Sequence, residues 1–209
     1  MIKAVIFDVD GVLIDSLKAN FHFYSLLFKT AGYLFFSFSE YKSKKMNHLT
    51  MVDVIKRTTK TKSKKKIKDL WLMGKNNIDY PYKFIQTPQN LIKVIKNLKS
   101  EFKLGVATSR VSTSLFDKIS KLSKIKQEFS TFVLFEDTKE HKPHPAPLLL
   151  VAKKLGVKPL ECVYIGDADS DVQAAKSAGM KIISYPKKLK GSDAYTSEFE
   201  KLPELISTI

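Results

Sequence analysis

The feature that most constrains the fold stands almost at the start of the chain, where Ala4-Val5-Ile6-Phe7 runs into Asp8-Val9-Asp10-Gly11. Four consecutive apolar residues bounded by turn signals predict a short strand buried on both faces, as parallel sheets require. Two carboxylates separated by one valine leave that strand at its C-terminal end, where open α/β sheets gather their ligands. Gly11 lets the chain turn there, because glycine tolerates backbone angles closed to residues with a Cβ. Carboxylates this close repel each other and call for a cation, a shared proton or full solvation. Taken alone, the pattern equally describes a strand that ends in a polar turn.

Helical spacing governs the next stretch. Phe21, Tyr24, Leu27, Phe28 and Ala31 predict a helix over 17–31 that stops at Gly32. The aromatic run 33–38 reads as a buried turn. Helical patterning resumes over 49–57 and 64–75, with Trp71 on the second apolar stripe and expected in the core. Pro81 and Pro88 punctuate the way out. Residues 16–84 are therefore expected to form a small all-helical domain inserted into a larger one, made of 1–15 and 85–209. In that larger part, helices over 89–98, 112–122 and 145–155, and one ending at Ala178, alternate with strands over 104–107, 132–135, 162–165 and 181–184. A last helix is expected over 202–206. The alternation predicts an α/β fold, a doubly wound parallel sheet of the Rossmann-like kind.

Charge adds a second constraint. The formal net charge is +15. Residues 16–84 hold fifteen Lys+Arg against four Asp+Glu, or +11, and the remainder holds twenty-one against seventeen, or +4. The excess peaks between Lys56 and Lys66. Such a patch attracts anions, whether phosphate esters, nucleic acid or acidic lipid. Only one of its cations is arginine and no aromatic lies among them, so it lacks the stacking groups of a base-binding surface. A solvated helix face is the expected reading, and a nucleic-acid partner is not favoured. The single cysteine, Cys162, excludes an internal disulfide and a cysteine-only metal site, and its apolar neighbours predict burial. No apolar run approaches the ~20 residues that span a bilayer. Met1-Ile2-Lys3 leads directly into the first strand. The expectation is a cytoplasmic protein without a leader or a membrane partner.

Three further polar clusters follow strands or precede helices. The hydroxyls of Thr108-Ser109-Arg110 and the N–H groups after them suit a phosphoryl oxygen, or else Ser109 or Ser112 is an ordinary helix cap. In His141-Lys142-Pro143-His144-Pro145, two prolines stiffen the backbone beside a lysine that an anion would meet, unless the segment is a plain surface loop. The two histidines lack a convincing third ligand for zinc. In Gly166-Asp167-Ala168-Asp169-Ser170-Asp171, acids at alternate positions suit a hard cation, or an acidic helix N-terminus. The later glutamate of an EF-hand is missing.

In this order the four clusters strongly resemble the haloacid dehalogenase-like hydrolase superfamily, with Asp8-Val9-Asp10-Gly11, Thr108-Ser109, Lys142-Pro143-His144-Pro145 and Gly166-Asp167 with Asp171 as its four motifs. The helical insertion resembles the small cap of the phosphoglycolate phosphatase and β-phosphoglucomutase branch. The resemblance implies a Mg²⁺-dependent phosphatase acting on a small phosphorylated metabolite. Asp8 would attack phosphorus and form an aspartyl-phosphate, while Asp10 would serve as acid and base. Mg²⁺ would be held by the Asp8 carboxylate, the Asp10 backbone carbonyl and Asp167, with Asp171 ordering a metal-bound water or Lys142. Thr108, Ser109 and Lys142 would bind the phosphoryl oxygens. Asp10 separates the chain from the dehalogenases proper, which do not use that second acid. Asn20 stands where β-phosphoglucomutases typically carry a histidine, with His22 nearby, so phosphomutase action is the alternative. A nucleic-acid-associated role for the basic insertion is the alternative from another class.

Overall fold

The computed structural model describes residues 1–44, 46 and 49–209. The chain divides into two compact units, one formed by Met1–Asp15 with Gln86–Ile209 and the other by Ser16–Ile85.

The larger unit is built on six parallel strands: β1 (Ala4–Phe7), β2 (Lys103–Ala107), β3 (Thr131–Val133), β4 (Cys162–Gly166), β5 (Lys181–Ser184) and β6 (Ala194–Tyr195). Their order in the sheet is β3-β2-β1-β4-β5-β6. The chain winds outward from β1 to β3, then returns to place β4 on the other side of β1. That reversal is the switch point at which doubly wound sheets open a crevice beyond their strand ends. Register brings the chemistry there: Phe7 lies opposite Val106 on β2 and Ile165 on β4. Asp8, Thr108 and Asp167 therefore emerge at one edge, one or two residues beyond those partners.

Side chains alternate across the pleat. Ala4 and Ile6 of β1, with Cys162 and Tyr164 of β4, belong to one buried cluster, which includes Leu148, Val151 and Leu155 of α8 (Ala146–Leu155). Val172, Ala174 and Ala175 of α9 (Asp169–Ser177) extend it under β5. Phe7, on the opposite face, meets Phe129 edge-on at 6.0 Å. That face also carries α5 (Leu91–Glu101), whose Leu91, Val94, Ile95 and Leu98 are buried. Burying a side chain of this kind contributes about 1.5–3 kcal/mol.

In the larger unit, local structure departs from the sequence pattern in three places. The helix expected over 112–122 is two short helices, α6 (Ser114–Lys118) and α7 (Ser120–Ser123), broken at Ile119 in an extended conformation. The strand expected over 132–135 is Thr131–Val133, because Leu134 leads into a 3₁₀ turn over Phe135–Asp137. Strand β6, only two residues long, carries too little alternation to be read from sequence.

The smaller unit contains α1 (Leu17–Thr30), α2 (Phe38–Ser43), α3 (Met51–Thr59) and α4 (Lys64–Asn77) among the described residues. Tyr24, Leu27, Phe28, Tyr41, Val54, Ile55 and Leu70 form its core, with Trp71 packed partly buried against it. The segment taken as a turn over 33–38 gives way to α2 at Phe38. Ser37 caps that helix, accepting from Glu40 N–H at 3.3 Å while the Glu40 carboxylate accepts from Ser37 N–H at 2.9 Å. From the end of α3 through the linker to the start of α4, Lys56, Arg57, Lys60, Lys62, Lys64, Lys65 and Lys66 are all exposed. No described helix is long and apolar enough to cross a membrane.

Candidate active site

The first acidic turn is fixed by its apolar residues. The Val9 carbonyl accepts from the N–H groups of Val12, Leu13 and Ile14, and all four side chains are buried. This knot anchors the backbone of Asp8 and Asp10. Gly11 has φ +82°, and a Cβ there would collide with the Asp167 carboxylate. Gly11→Ala should therefore cost about 1–3 kcal/mol of stability from the left-handed backbone alone, and should displace Asp167 as well. Urea denaturation would read the first effect.

Asp8 is 7% exposed. Lys142 Nζ lies 3.1 Å from Asp8 Oδ1 and 2.8 Å from Asp171 Oδ1, so one ammonium bridges two carboxylates. The Lys142 Nζ also donates to the Tyr164 hydroxyl at 2.8 Å, and that hydroxyl donates to the Ala107 carbonyl at 3.2 Å. Asp171 Oδ2 accepts from the backbone N–H groups of Asp167 and Ala168 at 3.0 and 3.1 Å. Asp171 therefore spends both oxygens on holding Lys142 and the turn that leads into α9. Gly166 permits this approach, since a Cβ there would lie 2.5 Å from Asp171 Cβ.

Burial pushes Asp8 up to about 7, with Lys142 pulling against the rise and Asp171 and Asp10 adding to it. Burial likewise pushes Asp167 up to about 8, reinforced by Asp8 and Asp171. For Lys142, burial opposes the charge, but Asp171 and Asp8 outweigh it and raise the ammonium well above the ordinary lysine range. The buried space thus carries more negative charge than one ammonium offsets. Asp8, Asp167 and Asp171 offer oxygens all within 4.8 Å of one another, a donor set that fits a hard divalent cation. Asp8 and Asp167 are better placed for it than Asp171, whose oxygens are committed.

Thr108 is buried at the end of β2, its Oγ1 accepting from Arg110 N–H at 3.3 Å, whereas Ser109 is exposed. Asp10 is held by Arg110 through two bonds, Nε to Oδ2 at 2.6 Å and Nη2 to Oδ1 at 2.7 Å. Of the alternate acids after β4, Asp169 is exposed. The two histidines beside Lys142 have local partners: His141 stacks on Phe135 at 3.8 Å, and His144 Nδ1 accepts from Ala146 N–H at 3.2 Å. A depression of about 750 Å³ along that loop is lined by residues that include Glu140, His144 and Lys176, and by none of the site carboxylates. In the smaller unit, Asn20 accepts from the Tyr80 hydroxyl at 2.6 Å and donates to Ser16 Oγ at 3.1 Å.

Sequence reasoning gave no role to Arg110 or Tyr164. Arg110 stood inside a cluster valued for its hydroxyls. Tyr164 sat in an apolar run where its ring belongs, and nothing in that run signalled that its hydroxyl meets Lys142.

This arrangement of acids, lysine and threonine on a parallel sheet coincides with a family. Residues 5–185 match the model of the haloacid dehalogenase-like hydrolases, and the chain belongs to that family. It is an enzyme of the phosphatase kind within it. A Clostridium perfringens protein assigned provisionally as the pyrophosphatase PpaX is 32% identical over 183 residues, covering 87% of this chain and 82% of that one. Among solved structures, a haloacid dehalogenase superfamily hydrolase of subfamily IA from Geobacter sulfurreducens is 27% identical, with TM-score 0.77 over 98% of this chain and 96% of that one. A provisionally assigned phosphoglycolate phosphatase from Lactobacillus plantarum shares the fold at 21% identity, with TM-score 0.81 over 98% of this chain and 100% of that one.

Proposed function

We propose that the protein is a Mg²⁺-dependent phosphatase that hydrolyses a small phosphate monoester through an aspartyl-phosphate on Asp8, with the unit Ser16–Ile85 acting as its cap. The observation that carries this reading is the buried contact of Lys142 with Asp8 and Asp171, inside the set of three carboxylates. A nucleophilic carboxylate beside a fixed cation, facing further acids, suits attack on a phosphoryl group and is an expensive arrangement otherwise.

In the first step an Asp8 oxygen bonds to phosphorus as the bond to the leaving oxygen breaks, and Asp10 gives that oxygen its proton. In the second, water attacks phosphorus and passes a proton to Asp10, while the bond to Asp8 breaks and inorganic phosphate departs. Lys142 and Thr108 offset charge on the phosphoryl oxygens, and the exposed hydroxyl of Ser109 adds a donor at the same strand end. Asp8, Asp167 and the Asp10 backbone carbonyl would hold Mg²⁺, which supplies charge neutralisation at the transferred group. Tyr164 and Asp171 keep the Lys142 ammonium aimed at Asp8. The lone cysteine, Cys162, buried in β4, is consistent with work in the cytoplasm.

Phosphate release measured over sugar phosphates, phosphoglycolate, nucleotides and pyrophosphate, with and without Mg²⁺, tests the reading. Release from none of them in Mg²⁺ would defeat it.

The raised Asp8 and Asp167 also make a prediction about pH. Both folded values, about 7 and about 8, lie above the ordinary 3.8. Their contribution to stability is therefore fully present below about pH 4 and is lost as pH rises through 7 to 8. The metal-free protein should melt at a lower temperature at pH 8 than at pH 5.5. Added Mg²⁺ must displace those protons, so it should raise Tm more at pH 8 than at pH 5.5. Thermal denaturation in EDTA and in Mg²⁺ at the two pH values checks this, and an equal Mg²⁺ effect at both would count against Asp8 and Asp167 as ligands.

A further inference from the structure

We infer that Lys187 sets the affinity of the site for its divalent cation, by holding a positive charge near Asp167 that the metal must overcome. This rests on the metal-binding part of the reading above and adds to it a residue outside the four motifs.

Lys187 reaches the site from β5, the strand beside the one that ends in Asp167. Gly166 lies opposite Ser184 in the β4–β5 register, and the Gly166 carbonyl accepts from Tyr185 N–H at 3.0 Å. Tyr185 therefore leaves β5 level with Asp167 leaving β4, and Lys187 follows two residues later at the same edge of the sheet.

The loop that carries it is closed on itself. Ser184 Oγ, fully buried, accepts from Leu189 N–H at 3.3 Å and donates to Ser192 Oγ at 3.1 Å. Ser192 Oγ in turn donates to the Leu189 carbonyl at 2.8 Å. Packing holds both ends: the Tyr185 ring meets Phe199 edge-on at 5.4 Å, and Gly191 sits where a Cβ would lie 3.3 Å from Val172 Cγ1. Val172 belongs to α9, the helix that Asp167 leads into. The backbone of Lys187 is thus anchored beside the turn that presents Asp167.

Its side chain differs from those of its neighbours. Lys188 Nζ lies over the Tyr195 ring, 5.8 Å from its centre, and so turns toward the outer strand β6. Lys142 Nζ is committed to Asp8 and Asp171 at 3.1 and 2.8 Å. Lys187 is exposed, and among the described residues its ammonium makes no hydrogen bond, ion pair or ring contact. Its charge still acts on Asp167, where it joins Lys142 in favouring the ionised carboxylate. A cation there helps the carboxylate shed one proton but repels a doubly charged ion twice as strongly, so the repulsion prevails. Lys187 therefore raises the Mg²⁺ concentration at which the site fills.

Titration calorimetry with Mg²⁺ alone, at pH 8 and without substrate, tests this and needs no turnover. At about 0.1 M ionic strength, Lys187→Gln should bind Mg²⁺ about 3- to 10-fold more tightly than wild type, the scale of one charge near the solvent within a Debye length of the ion. Lys187→Glu should gain more, and Lys187→Arg, which keeps the charge, should match wild type. Lys188→Gln makes the same change in net charge one residue along and should stay within about twofold of wild type. At about 1 M salt the gap between wild type and Lys187→Gln should close, which loss of a structural contact would not bring about. Equal affinities of wild type and Lys187→Gln at the lower salt, an equal gain in Lys188→Gln, or a gap that survives the higher salt would overturn the inference. Each of those outcomes leaves Mg²⁺ binding by wild type, and with it the phosphatase reading, intact. Absence of Mg²⁺ binding by wild type would defeat the metal assignment and the role of Lys187 together.

Discussion

Asp8→Asn should lower kcat for phosphate release by at least about 10⁴-fold, as removal of an attacking side chain does in other covalent mechanisms. An amide nitrogen cannot take the place of the carboxylate oxygen that bonds to phosphorus, and the amide also withdraws one negative charge from the cluster. The second effect makes the variant informative beyond its inactivity. Asp8 is buried against Asp171 and Asp167, and burial already pushes it to about 7. Replacing it with a neutral group of the same shape removes a charge the fold holds at a cost. The metal-free variant should therefore be at least as stable as wild type at pH 8, while showing no turnover. The carboxamide should also weaken Mg²⁺ binding without abolishing it, since Asp167 remains. Single-turnover assays with a substrate radiolabelled in its phosphoryl group would show labelled wild-type protein under acid quench and no label on the variant. Label on the variant, or activity within tenfold of wild type, would remove Asp8 from the centre of the mechanism.

The parts of this molecule that could be read from sequence share a physical reason. Ala4–Phe7 and Cys162–Gly166 announce themselves as uninterrupted apolar runs because a parallel strand is covered on both faces. The acids and the threonine follow such runs because a doubly wound sheet collects its chemistry at strand ends, whereas Lys142 comes from the loop that leads into α8. What escaped was structure fixed by contacts distant in sequence. Arg110 and Asp10 are 100 residues apart, and neither position alone shows that they form a fork. Tyr164 satisfies the apolar pattern of β4 with its ring, while its hydroxyl answers to Lys142, 22 residues earlier. The break at Ile119 was hidden because Leu115, Phe116 and Leu122 keep helical spacing across it. Helix α2 was hidden differently, since the aromatic run 33–38 has no clear period and the Ser37–Glu40 capping box is the only strong signal of its start.

Lys142→Met should produce the largest loss of stability of any single substitution in the site, and one whose size depends on pH. Methionine roughly preserves the length and apolar stem of lysine but removes the ammonium that Asp8 and Asp171 share at 3.1 and 2.8 Å. Removing one partner of a buried ion pair costs about 3–5 kcal/mol when the other is left charged. Here the orphaned partner has a way out. Burial already holds Asp8 near 7, and Lys142 is the neighbour that opposes the rise. Without Lys142 the Asp8 carboxyl climbs further and takes up a proton over a wider pH range. A folded value raised above the unfolded one adds stability at low pH and loses it as pH rises through the folded value. The variant should therefore stand closer to wild type at pH 5.5 than at pH 8, where the penalty approaches its full size. Activity follows the same logic, because a protonated Asp8 cannot attack. The kcat of Lys142→Met should fall by about 10²- to 10³-fold at pH 7, the scale of losing one stabilising donor, with the acidic limb of its pH profile moved to higher pH. Urea denaturation in EDTA at the two pH values, with pH–rate profiles in Mg²⁺, measures both effects. A penalty independent of pH, or a kcat within threefold of wild type, would mean that Lys142 is a structural cation with no hold on the nucleophile.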